Sequence, residues 1–171
     1  KQVRTEGEVG FGTDTNYDPA TGPPVLAKSS YAQITATVRP VGRLTIDNTY
    51  LLTRLRDQFT DANIFNNHII RSKWNYQFTR ELSLRIIGQY SAVLANPQLT
   101  SLQTTKSFNA DVLLTYLLHP GTAVYVGYNS NLQNLDRSLG LDANGNLLRT
   151  QNRFLNDGRQ FFVKVSYLLR Y

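Results

Sequence analysis

His68 and His119 are the only imidazoles in the chain, and they are the first residues to test for chemistry. His119 stands in "HPGT" (119–122), a tight-turn sequence in which an imidazole needs no catalytic purpose. His68 lies where an apolar run meets a polar segment, near Asn66, Asn67 and Ser72. An imidazole that activates a hydroxyl is the core of a hydrolase or acyltransferase, and some outer-membrane lipid-modifying enzymes pair His with Ser. No third group that would orient the ring is evident, so this is the weakest function class and no catalytic residue is assigned. The histidines have no partners at ligand spacing and cysteine is absent, so neither a metal site nor a cofactor is expected.

Two further stretches imitate known loops. "LDANGNLL" (141–148) offers Asp142, Asn144 and Asn146, but it lacks the glycine and the distal glutamate of a calcium loop. Asn144-Gly145 reads better as a hairpin turn. "GEVGFGTD" has no helix after it, so it is no phosphate loop. Gly7, Gly10 and Gly12 there suit bending or close approach within a sheet.

The remaining chemistry is charge, and the charges fall at alternate positions. In "IIRSKWNYQFT", Ile70, Trp74, Tyr76 and Phe78 share one face with Ser72, while Arg71 and Lys73 take the other. Period-2 alternation of this kind marks strands. It recurs in "LSLRIIGQYSAVL", "SFNADVLLTYLLH", "YAQITATVR", "RLTIDNTYLL" (with Asn48 out of pattern on the apolar face), "TAVYVGYNS", the N-terminal stretch and "GRQFFVKVSYLLRY". That predicts eight strands. Tight turns at "RPVG" (39–42), "TREL" (79–82) and "HPGT" alternate with long polar connections, so short and long links fall on opposite ends.

Composition points the same way. Charged residues are 18% of the chain, against about 25% in typical soluble domains. No apolar run is long enough for a transmembrane helix. Methionine is absent even at position 1 and no signal peptide is visible, so the chain reads as a mature or excised piece. The net charge of +6 comes with no basic helix or nucleic-acid-binding module, so no nucleic-acid partner is expected. Long strands, and aromatics near strand ends, favour an antiparallel up-and-down transmembrane β-barrel of eight strands, in one domain over 1–171. Apolar side chains then face lipid, with Trp74, Tyr76, Phe78, Tyr116, Tyr167 and Tyr171 as an aromatic girdle. Arg4, Glu6, Glu8, Arg43, Asp47, Arg71, Lys73, Arg85, Asp111, Lys164 and Arg170 become an interior polar network. An eight-stranded interior is just wide enough to be filled by side chains. A soluble lipocalin-like binder is the inverted alternative, and it leaves the terminal aromatic unexplained.

The ending "LLTYLLHPGTAVYVGYNSNL…GRQFFVKVSYLLRY" resembles the C-terminal barrel segment of a bacterial outer-membrane family catalogued as a domain of unknown function. In that family the barrel follows a carbohydrate-binding-like N-terminal domain. The resemblance is closest over about 111–171 and more diffuse over 29–110. It implies a bacterial outer-membrane location and no particular activity. The last strand, with Val163, Val165, Tyr167, Leu169 and the final Tyr171, is also similar to the signal read by the outer-membrane assembly machinery.

The expected role is structural: a filled barrel presenting surface loops, without catalysis, in contact with membrane lipid. Arg54, Arg56, Lys106, Arg137, Arg149, Arg153 and Arg159 lie in or beside the long loops; with those loops facing outward they form either a phosphate-binding surface for lipopolysaccharide or a plain solvated basic surface, and the sequence leaves both open. The alternative is part of a larger pore or transporter for a solute such as an oligosaccharide.

Overall fold

The computed structural model describes residues 1–119, 121–134 and 154–168. Eight strands follow one another: β1 (Gln2–Asn16), β2 (Val25–Val41), β3 (Leu44–Asp57), β4 (Asn63–Gln77), β5 (Leu82–Ala95), β6 (Thr105–His119), β7 (Thr122–Gln133) and β8 (Leu155–Tyr167). They form a single antiparallel sheet in which each strand pairs only with its neighbours in sequence. The alternation read from the sequence survives in the pairing. One row of direct partners runs Val3, Val38, Ile46, Trp74, Ile86, Val112, Tyr128, Phe161. The row beside it, on the opposite face, runs Arg4, Thr37, Asp47, Lys73, Ile87, Asp111, Asn129, Gln160.

Closure within eight strands is not observed. The strand order begins at β1 and ends at β8, with no pairing between them, so the sheet is open and not a closed barrel. Every residue of β8 is exposed, and nearly every residue of β1. Side chains that would fill a closed interior therefore line an open face. Turn positions also shift slightly from expectation. The first tight turn falls on Gly42-Arg43, after a bulge in β2, and the β3–β4 connection shortens to residues 58–62 because the strands run further.

The strands are staggered. Leu44, Tyr76, Leu84, Leu114, Val126 and Val163 form one row of partners. The three tight-turn tips lie about 1.5, 4 and 6 residues beyond that row, an advance of roughly 1.1 residues per strand. With about 3.4 Å per residue and 4.8 Å between strands, the strands incline by about 40° to the normal of the plane through the tips. That lies inside the 35–45° range of outer-membrane barrels.

The sheet curls towards its polar face, and the long connections hold it there. The β1–β2 loop reaches the β5–β6 loop through a bridge between Pro19 and Thr100. Thr100 Oγ1 donates to the Asp18 carbonyl (2.6 Å), the Ser101 amide donates to the same carbonyl (3.0 Å), and Asn16 Nδ2 donates to the Leu99 carbonyl (3.3 Å). Beneath this clasp lies the apolar core, Ala27, Leu55 and Ile64, with Phe65 and Leu99 packed on it. Ala27, Leu55 and Phe65 belong to the polar face by register, so the loops fold inward over that face at the long-loop end.

Candidate functional site

On the polar face, strand alternation sets several charged side chains beside partners from the next strand. Lys73 Nζ lies 3.1 Å from Asp47 Oδ2, and Thr37 Oγ1 donates to Asp47 Oδ1 at 2.8 Å. Asn129 Nδ2 donates to Asp111, Tyr31 Oη donates to Glu8, and Arg4 pairs with Glu6 two residues along its own strand. Arg71, Arg85 and Lys164 share this face and form no ion pair among the described residues. Arg43 occupies the first tight turn and donates to the Phe78 carbonyl at 3.3 Å. Arg170 lies outside the described residues. In place of one network, part of the expected set forms separate pairs along an open surface.

Near the tight turns this face holds a hollow of about 540 Å³, lined by Arg43, Asn75, Gln77, Arg85, Thr115 and Tyr125 among others. Guanidinium, amide and hydroxyl groups together suit polar or anionic solutes in water. Two glycines shape the surface. The Tyr31 ring lies across Gly10 and the Phe162 ring across Gly127, where an added Cβ would meet ring carbons at 2.0 and 2.2 Å.

The opposite face is apolar and uncovered. Phe11 is 85% exposed and Ile70 50%, and Trp74, Phe108, Tyr116, Phe161 and Tyr167 stand out on the same side. Monomeric soluble proteins rarely leave apolar patches beyond a few hundred Å² bare. After correction for the inclination, Phe78, Tyr76, Tyr116, Tyr167 and Trp74 lie about 1 to 5 residues from the level of the turn tips. These predicted girdle members thus fall towards the tight-turn end, whereas Tyr50, Tyr90, Phe108, Tyr128 and Phe161 on the same face lie about 8 to 11 residues from that level. Tyr171 lies outside the described residues. Tyr76 and Phe78 pack edge to face with centroids 4.7 Å apart.

Asn48, out of pattern by sequence, is satisfied on this apolar face. Ser72 Oγ donates to Asn48 Oδ1 (2.6 Å), and Trp74 Nε1 donates to Ser72 Oγ (2.8 Å). His68 lies on the same face, between partners Leu52 and Ala92. Its Nδ1 shares a 2.9 Å hydrogen bond with the Tyr50 hydroxyl. Ser72 is engaged elsewhere, four residues along β4, so the structure does not bring the two into a nucleophile–base pair. No cluster of three metal-ligating groups occurs among the described residues. Asn144-Gly145, where a turn is expected, and Arg137, Arg149 and Arg153 lie outside them. Sequence reading missed the loop clasp; its one local signal is Asn96-Pro97, where Asn96 Oδ1 accepts from the Gln98 amide (3.1 Å) to start a turn.

Comparison with family models, with curated proteins and with solved structures returns no match.

Proposed function

We propose that this chain is a section of the wall of an outer-membrane β-barrel larger than eight strands, whose polar face lines a water-filled passage for a hydrophilic solute. The observation that carries this reading is the combination of a largely segregated sheet with two open edges. Most of the large exposed apolar residues stand on one face, while Glu6, Glu8, Asp47 and Asp111 lie on the other. In hydrocarbon an unpaired strand edge leaves amide groups without partners, so β1 and β8 require further strands, from a longer chain or from other copies. The 40° inclination and the placement of Trp74, Tyr76, Phe78, Tyr116 and Tyr167 towards the tight-turn end support the same environment. The family resemblance supports a bacterial outer-membrane barrel and the assembly machinery as a partner of the closing strand.

In this reading the chain conducts or admits solute and performs no catalysis. The inward loop clasp narrows the passage at the long-loop end, and the Arg43–Arg85 hollow receives solute at the other. Planar-bilayer recording of the protein extracted from its native membrane tests it. Steady conductance steps, reduced by a carboxylated oligosaccharide, are expected. Recovery of the chain in the soluble fraction without detergent, or a membrane-inserted protein that carries no current, refutes it.

A further inference from the structure

The apolar face ends at its long-loop margin in a set of cations, and their arrangement rests on, and goes beyond, the membrane reading above. Lys28 (β2), Arg54 and Arg56 (β3), Lys106 (β6) and Arg159 (β8) are the basic residues that register places on this face of the strands. Among the described residues, every strand carboxylate that register places lies on the other face; Asp157, at the bulge of β8, has no register partner, and its carboxylate accepts from Asn131 Nδ2 at 3.4 Å. Counted along the strands from the Leu44–Val163 row, these cations scatter over about eight residues, roughly 27 Å. Corrected for the inclination, all fall about 12 to 14 residues from the level of the tight-turn tips. They form one belt. It stands about 25 Å above the aromatics nearest the tight turns, the height of the apolar band on outer-membrane barrels.

The belt is built most densely at β2–β3. Lys28 and Arg56 are direct cross-strand partners, and Arg54 projects two residues further along. Like charges directly opposite one another destabilise a sheet. One carboxylate, Asp61 of the β3–β4 loop, serves both, at 3.3 Å from Lys28 Nζ and 3.0 Å from Arg56 Nη1. Arg54 Nε donates to Asn66 Oδ1 at 3.0 Å. Three cations around a single carboxylate leave a net positive site. A hollow of about 340 Å³ opens among Phe11, Lys28, Ser30, Arg54, Arg56 and Asp61.

We infer that this belt, centred on Lys28, Arg54 and Arg56, binds the phosphate groups of an amphiphilic phosphorylated glycolipid of the lipopolysaccharide class in the outer leaflet. Guanidinium forks match phosphate oxygens in geometry as well as charge. The acyl chains lie along the apolar face beside Phe11, which places the charged headgroup at the level of the belt.

The test uses the protein extracted from its native membrane and placed in zwitterionic-lipid nanodiscs. It is titrated with bisphosphorylated lipid A, with the dephosphorylated glycolipid and with phosphatidylglycerol. Tight binding of the phosphorylated form alone is expected, weakened at least tenfold in the variant K28Q/R54Q/R56Q and unchanged in R80Q, a cation in the second tight turn. Equal affinity for the phosphorylated and dephosphorylated glycolipids overturns the inference on the unmodified protein, whatever the triple variant does. So does phosphatidylglycerol binding as well as lipid A, which would make the belt a general anionic surface. A protein that never enters the nanodisc ends the membrane reading and this inference with it. One that enters and does not discriminate ends the inference alone.

Discussion

Ile70→Arg separates a lipid-facing surface from a wet one. Ile70 lies on the apolar face of β4, between partners Tyr50 and Tyr90, and is half exposed. It stands about 9 residues from the level of the turn tips, within roughly 3 Å of the midpoint between the lower aromatics and the basic belt. At the bilayer midplane a lipid-facing arginine costs about 2–4 kcal/mol. In water, an exposed surface position tolerates such a change within about 0.5 kcal/mol. The two environments therefore differ by about 10- to 700-fold in the folding equilibrium constant. Ile69→Arg, one residue away and on the polar face, is the matched control, expected to cost less than half as much. The assay is a urea titration of folding into phosphatidylcholine vesicles, followed by the emission of the single tryptophan, Trp74, which stands on the apolar face. A penalty for Ile70→Arg no larger than for Ile69→Arg refutes the lipid-facing assignment.

Gly127→Ala forces the Phe162 ring off its seat and should loosen β8 by about 1–3 kcal/mol; adding Phe162→Ala should recover part of the loss, read by the same titration. Thr100→Val removes the hydroxyl that donates to the Asp18 carbonyl and should cost about 1–2 kcal/mol, with larger and noisier conductance steps as the clasp loosens. Hydrogen bonding from Lys28, with Arg56 adding to it, holds Asp61 below the ordinary aspartate pKa. Its contribution to holding the β3–β4 loop is thus present above the unfolded aspartate value and lost as pH falls through the lowered folded value. Asp61→Asn should imitate the acid form at neutral pH, raising affinity for phosphorylated glycolipid severalfold in the nanodisc titration.

Strand positions and faces were legible because a period of two needs no knowledge of partners. Arg71, Lys73 and Trp74 fell on their expected sides for that reason. Asn48 looked misplaced because its hydrogen-bond partner, Ser72, itself held by Trp74, comes from the next strand and is distant in sequence. Closure was not legible: alternation in β1 and β8 reads the same whether their edges meet each other or other strands. Arg54, Arg56, Lys106 and Arg159 were legible as cations near the long loops, but their common level, and Lys28 with them, was hidden by the stagger, which sets Lys106 and Arg159 at different row positions. The clasp joins two irregular loops, which carry no periodicity to read.

That clasp also bears on the order of folding. Every strand pairing in the sheet joins sequence neighbours, so hairpins form with little chain to close. The Asn16–Leu99 and Asp18–Thr100 links span 83 and 82 residues, and from a disordered chain each would be entropically costly to close. Once β2 to β5 are assembled, the two loops are already near one another and little freedom remains to lose. The clasp should therefore close last, as a kinetic latch on a preformed arch. Amide exchange at Ser101 and Ala20 should then report sub-global opening well before the strands themselves exchange.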